Sequence, residues 1–418
     1  MIPARAYRLL LIAVLAAASC QTHETQEELS GTRAPLLFNC NPVSVTTKAG
    51  NTYVSNSSLQ LRQYEYFNVY GWNTGASYLS DDPGVPSFFN PALTVQFVNN
   101  NNQGSNNTYD HSTLRNSLDQ YWPQGSTPYD YSFFAYYPYD DDPAEYGIST
   151  PDFLTPPDGK IASIPFVAKK DAPGNSAVDN MVDFCVTDIA NDQVYGHTTS
   201  PYPGTVDLTF RHMLTLVQIK FVKSRDVSSD TVIELLDARL ENINTEGDLT
   251  IAYTPPAEPG EDVLGTTSFH WLNVDTPESY EITIGGVDPS YNESTGVATD
   301  PITLGYNQAL STSDIFLMIP QYLWPYGNAN RQLIHFWWRV DGGAVQETED
   351  TYLSESKKAI GSDDSSGISE WRINQMVTYT VVIRTAALEF GTADEPEVTV
   401  DIAPWPGEDV NGYVQIID

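Results

Sequence analysis

The sequence predicts an all-β protein, and three observations carry that prediction. Aromatic residues are abundant, with 25 Tyr, 16 Phe and 8 Trp in 418 residues, and aromatic side chains suit a pleated, half-buried surface. Proline and glycine (28 and 27) are scattered as punctuation between short apolar runs, the pattern of many short strands joined by turns. Long apolar faces with a 3.6-residue period are scarce; residues 231–240 are the one helix-like stretch, and they read equally as a strand.

The chain opens on a leader. Arg5 and Arg8 precede an apolar run, residues 9–18, then Ser19 and Cys20. A positive region, a short apolar region and small residues at a cleavage point are the parts of an export signal. A cysteine immediately beyond them resembles a bacterial lipoprotein signal, so residues 1–19 read as the signal peptide and Cys20 as the lipidated residue. The other reading is a plain secretory signal, because Ala17-Ala18-Ser19-Cys20 lacks the usual leucine three places before the cysteine. The run is too short to cross a hydrocarbon core of ~30 Å as a helix. No later apolar stretch is longer, which predicts a soluble protein tethered at one end. Residues 20–33 are polar and acidic and read as a tether or pro-segment.

The remaining chain exceeds what one hydrophobic core usually serves, so two domains are expected. Twenty Lys and Arg against 54 Asp and Glu leave a net charge of −34. Such a surface repels phosphate backbones and argues against a nucleic-acid partner. It also opposes docking of the protein itself on anionic lipid, and acidity suffices to keep a crowded surface protein soluble.

Strand candidates follow in order. They are Val43 and Val45, then residues 64–72, then Leu93, Val95 and Phe97 alternating with Thr94 and Gln96 as a half-buried strand. Residues 99–107 are an asparagine-rich loop. Residues 131–137 are a dense aromatic strand ended by Pro138, and Asp140-Asp141-Asp142 reads as a solvated loop without the ligand spacing of a calcium site. Residues 198–205 look like a linker. Across 206–223 the apolar parity switches: Leu208, Phe210, Leu214 and Leu216 share one face, and Val217, Ile219 and Phe221 share the other. A period-two strand cannot do this without an extra residue, so a bulge or a change of sheet is expected near Leu216. Ile282 and Ile284 alternate. Residues 315–319 form an apolar run bounded by Pro320, as in a strand buried on both faces. Ile334, Phe336, Trp338 and Val340 share a face, residues 341–367 read as a long polar loop, and Val377, Tyr379, Val381 and Ile383 share another face. Val398, Val400 and Ile402 alternate up to Pro404-Trp405-Pro406-Gly407. No long repeat is visible, which favours two β-sandwiches, residues 34–203 and 204–418.

Little chemistry is legible. The histidines (His23, His111, His197, His212, His270 and His335) have no metal-ligand spacing to one another or to a cysteine. There is no HExxH, Gly-x-Ser-x-Gly, phosphate loop or Cys-x-x-Cys. His212, inside a strong strand, reads as a structural or interface residue. Cys40 and Cys185 can pair in an exported protein, although buried free cysteine is common. Carboxylates are too numerous for any pair to stand out as a glycosidase dyad. No enzyme, cofactor or metal is expected.

Tyr121-Trp122-Pro123, then Phe133-Phe134-Ala135-Tyr136-Tyr137-Pro138, then Leu208-Thr209-Phe210-Arg211-His212-Met213-Leu214 resemble the Bacteroidota fimbrillin family, in particular its Mfa-like members. Leu317-Met318-Ile319-Pro320-Gln321, the Tyr-Thr run within 374–383, and residues 398–405 are similar to later family marks. The resemblance implies two tandem transthyretin-like β-sandwich domains behind a lipoprotein signal and a place in type V pili. It implies cleavage by a surface trypsin-like protease, for which Arg33–Ala34 is the candidate site. It also implies partners in the outer membrane, through lipid on Cys20, and in other pilus subunits by strand exchange, with a host or bacterial surface ligand for an adhesive member. Val410, Gly412, Val414 and Ile416 alternate along one face of the tail and are the candidate donor strand, or else close the chain's own sandwich. The rival reading is a surface glycan-binding lipoprotein that does not polymerise, with Trp122, Trp271, Trp338 and Trp405 on an exposed platform.

Overall fold

The computed structural model describes residues 36–41, 66–74, 84, 86–96, 108–109, 121–123, 131–138, 146–153, 160–168, 181–195, 204–225, 227–255, 265–305, 313, 315–324, 329–348, 351–355, 357–358, 367–383 and 397–404. It is an all-β protein, as its sequence predicts. The first strands are β1 (Leu37–Asn41), β2 (Tyr66–Asn73), β3 (Phe89–Gln96), β4 (Thr108–Tyr109) and β5 (Tyr131–Tyr137). They are followed by β6 (Lys160–Val167), β7 (Cys185–Thr187), β8 (Ala190–Gln193) and β9 (Thr205–His212). All but β6 form one eight-stranded sheet in the order β3-β2-β5-β7-β9-β1-β4, with β8 on β5. β1 runs parallel to β9; the other pairs are antiparallel.

This sheet curls around its own core. The Phe67 ring on β2 lies 5.4 Å from Phe210 on β9, edge to face. Those strands are three steps apart in the sheet, ~14 Å if it were flat, so the contact requires the sheet to close over its aromatic face. β5 is buried along its whole length. Tyr131, Phe133, Ala135 and Tyr137 enter this small core, whereas Phe134 and Tyr136 enter a larger one. That is why the segment carries aromatics at every position but Ser132 and Ala135 instead of alternating. The half-buried pattern expected at Thr94 is covered as well: Thr94 Oγ1 donates to Asn68 Oδ1 (3.0 Å) and Asn68 Nδ2 to Tyr136 Oη (3.2 Å). A polar network thus fills the face that the alternation assigns to water.

The chain changes sheet between β9 and β10 (Thr215–Lys223), which accounts for the parity switch along 206–223. Beyond it come β11 (Ile233–Thr254), β12 (Thr266–Glu281), β13 (Ser290–Asn292), β14 (Val297–Thr299), β15 (Ile302–Thr303) and β16 (Phe316–Met318). β17 (Leu333–Val340), β18 (Val345–Thr348), β19 (Lys357–Lys358), β20 (Gln375–Ile383) and β21 (Glu397–Pro404) complete the order. One sheet reads β16-β10-β20-β21-β19; another reads β12-β11-β17-β18, with β15 and β6 also on β11; β13 and β14 form a separate hairpin. The two larger sheets face each other as a sandwich, with Phe221 on β10 meeting Phe336 on β17 at 5.5 Å and Tyr280 on β12 meeting Phe316 on β16 at 6.2 Å. Val377, Tyr379, Val381 and Ile383 are wholly buried, as their period predicts. Trp371 Nε1 donates to the Tyr379 hydroxyl (2.9 Å), and burial holds that phenol far above its usual range.

One ambiguity is resolved and one expectation changes. Of the stretch 231–240, which reads as helix or strand, Ile233 onward is strand, the start of the 22-residue β11. The polar loop expected at 341–367 contains a hairpin: β18 returns along β17, with Arg339 opposite Val345, and Tyr352 and Leu353 beyond it are buried. Asp341 and Gly342 make the turn at positive φ (48° and 68°), a conformation aspartate tolerates and glycine adopts without strain.

β6 crosses out of its neighbourhood to pair with β11, Val167 opposite Glu246 through Lys160 opposite Ala252. The early and late halves are further joined where Trp271 Nε1 on β12 donates to Met213 O (2.9 Å) and Ile189 N to Thr267 Oγ1 (2.9 Å). Among the described residues, no helix is long and apolar enough to cross a membrane.

Candidate functional site

The feature best placed to act on another molecule is the slot that β1 fills. Five residues lie between β9, from Leu37 opposite Thr205 to Asn41 opposite Thr209, and the short β4. Leu36 and Phe38 are wholly buried, and the Phe38 ring meets Phe133 at 5.4 Å in a T-shaped contact. β1 therefore closes the small core by side-chain insertion and by main-chain pairing with β9. Main-chain pairing and side-chain spacing are the terms in which strand addition recognises a strand. At the far end of the chain, β21 pairs with β20 along its length, Gln375 opposite Pro404 through Val382 opposite Glu397.

Several sequence-predicted residues lie outside the described ones: Cys20, Arg33, Ala34, Trp405, Val410, Gly412, Val414 and Ile416, together with the Asp140-Asp141-Asp142 loop. Trp122, Trp271 and Trp338 are buried. Trp122 Nε1 donates to Gly204 O (2.9 Å), so these three tryptophans serve cores and offer no platform for a sugar. Tyr322 and Trp324 are the large aromatics that are more than two-fifths exposed among the described residues. Cys185 is a thiol rather than half of a disulfide. β7 and β1, which carry Cys185 and Cys40, flank β9 on opposite sides.

Two clusters were not legible from spacing. Asp183, Cys185 and His212 meet in the interior, although His212 is far from the other two in sequence; only the β7–β9 register joins them. A second cluster holds Asp237, Arg239, Glu281 and Asp288. Arg239 Nη2 lies 2.9 Å from Asp237 Oδ2 and its Nε 3.1 Å from Glu281 Oε2, while the Tyr291 amide donates to Asp237 Oδ2 (3.2 Å). The Asp237 and Glu281 carboxylates converge on the Arg239 guanidinium and are ion-paired to it.

Burial holds the carboxyl groups of Asp237 and Glu281 above their ordinary values despite Arg239. A raised folded-state value means that the native state binds protons more readily than the unfolded chain. Stability from this cluster is therefore full at low pH and is lost as pH rises from the ordinary carboxylate range through the raised values. The net charge of −34 acts in the same direction. Thermal unfolding of the wild type is expected to shift upward between pH 7 and pH 5. Asp237→Asn is expected to flatten that rise while leaving the general charge effect, and melting curves of both proteins across this range measure the difference.

A family model described as fimbrillin-like matches residues 52–405. The chain is similar in fold to a fimbrial protein from Bacteroides vulgatus, with 15% identity, 90% of this chain and 100% of that chain covered, and a TM-score of 0.50. A further similar structure is the tip fimbrial protein Mfa3 from Porphyromonas gingivalis with C-terminal truncation, at 12% identity, covering 82% of this chain and 95% of that one, with a TM-score of 0.32. Comparison with curated proteins gave no match.

Proposed function

Because the chain belongs to the fimbrillin-like family, we propose that it is a type V pilus subunit, exported as a lipoprotein and joined to its neighbours by β-strand complementation. Membership makes it a structural protein of the cell-surface fimbrium that works with other pilus subunits, and not an enzyme. The finer reading assigns roles to particular residues. Lipid on Cys20 holds the precursor at the outer membrane. Cleavage between Arg33 and Ala34 releases it. A donor strand carrying Val410, Gly412, Val414 and Ile416 then enters the slot of a neighbouring copy or of another subunit.

The observation that supports this reading most is the placement of β1. It is short, runs parallel to β9, and closes the small core through Leu36 and Phe38. β1 follows Arg33 in sequence, so cleavage there leaves β1 attached and frees its leading end. The donor then competes with β1 for the slot. Complete removal of β1 needs a second cut between Asn41 and Tyr66, where Lys48 and Arg62 are the basic residues.

The test uses the full-length lipoprotein purified from membranes and treated with an arginine-specific protease. A new N-terminus at Ala34, read by mass spectrometry, together with a ladder of oligomers on gel filtration, is the expected result. Treated protein that neither oligomerises nor binds a pilus partner would overturn the reading.

A further inference from the structure

The interior cluster of Asp183, Cys185 and His212 has no role in strand exchange, and its geometry is specific. Cys185 on β7 and His212 on β9 are directly opposed in register. His212 Nδ1 lies 2.9 Å from Asp183 Oδ1, and Cys185 Sγ lies 3.6 Å from each of those atoms. All three residues are buried, and His212 and Cys185 have no exposed surface. An aspartate–histidine hydrogen bond beside a thiol accounts for part of this arrangement. It leaves Asp183 Oδ2, on the same carboxylate, buried with no hydrogen-bond partner among the described residues. A buried carboxylate oxygen without a donor is costly and calls for a partner.

The geometry points to a zinc(II) site, with Cys185 Sγ, His212 Nδ1 and Asp183 Oδ1 as ligands and Asp183 Oδ2 as the remaining oxygen donor. Zinc takes sulfur at ~2.3 Å and nitrogen or oxygen at ~2.0–2.2 Å, so tetrahedral angles set these ligands about 3.3–3.6 Å apart. The two sulfur distances already match. The nitrogen–oxygen distance needs to open by about 0.4 Å, which follows when an ion replaces the proton between them. Charge also balances: thiolate, carboxylate and neutral imidazole around a divalent ion sum to zero, as a buried cluster requires. A mixed sulfur, nitrogen and oxygen set selects zinc over magnesium or calcium. Binding releases the thiol proton and moves the imidazole proton from Nδ1 to Nε2, so affinity rises with pH. The bound ion ties β7 to β9 at the last residue before the chain leaves the first sheet. Because the side chains are buried, the ion enters during folding.

The experiment uses untagged full-length protein, refolded with and without zinc, dialysed and assayed for metal by mass spectrometry. About one zinc per chain is expected for the wild type, with none above background for Cys185→Ala, and chelation is expected to lower the wild-type melting temperature by several degrees. Refolding with cobalt is expected to give a thiolate charge-transfer band in the wild type that Cys185→Ser lacks. Asp183→Asn is expected to lose metal too; should it not fold, the wild-type and cysteine measurements still decide. Wild-type protein that holds no more zinc than Cys185→Ala, and whose melting is unmoved by zinc or chelator, overturns the site.

Discussion

Deletion of residues 406–418 is expected to leave a folded, exportable protein that no longer donates a strand to its neighbour. β21 completes its pairing with β20 at Pro404, so the deletion begins beyond the last registered pair. The lost contribution is that of a whole strand. Several main-chain hydrogen bonds at about 1 kcal/mol net each and burial of Val410, Val414 and Ile416 at ~1.5–3 kcal/mol each are at stake. Ordering the tail offsets part of this. Even about 4 kcal/mol remaining is a thousandfold in affinity, at 1.4 kcal/mol per factor of ten. Gel filtration and electron microscopy of protease-treated protein measure the effect. The truncated chain is expected to accept a synthetic 406–418 peptide, because its own slot is intact. Polymers of undiminished length from the truncated protein would instead make the tail a closing strand of its own sandwich.

Trp271→Ala is expected to destabilise the protein by about 4–5 kcal/mol. Tryptophan-to-alanine changes in cores cost ~3–5 kcal/mol. Here the indole also donates to Met213 O, at the point where the chain passes from β9 to β10. Leaving that carbonyl without its donor adds ~1 kcal/mol. The ring further packs edge to face on Phe166 of β6 (5.9 Å) and Phe184 (6.3 Å). The substitution thus strikes the crossing strand, the sheet change and the core at once. Against a typical total of 5–15 kcal/mol, the urea midpoint is expected to fall sharply. Trp324→Ala is the control: that side chain is exposed, and surface changes stay within about 0.5 kcal/mol. Equal losses at both positions contradict this division between core and surface tryptophans.

The two predictions draw on different kinds of legibility. The alternation in the tail and the faces of β17 and β20 are legible locally, because a period of two is a local property of the chain. The parity switch along 206–223 was also local, and it marked the change of sheet without naming either sheet. Trp271 shows the opposite case. A large aromatic on a strand is more often a core residue than a sugar platform, and the packing of β6 and Met213 against Trp271 places it in the core. The acidic cluster around Arg239 was hidden for a further reason: with 54 acidic residues in the chain, spacing cannot single out the three that gather around one arginine.

The sequence by itself determined the β class, the period-two faces of the later strands and the residues that resemble fimbrillins. Each of these lies in a short window, where side-chain period, charge and residue type act without help from distant parts. Tertiary structure alone decided that β6 pairs with β11, that β1 enters parallel beside β9, and that Asp183, Cys185 and His212 share one interior point. These depend on which strands pair and in what register across long stretches of chain. A shift of a single residue sends a whole strand's side chains to the other face, so no local spacing contains the answer.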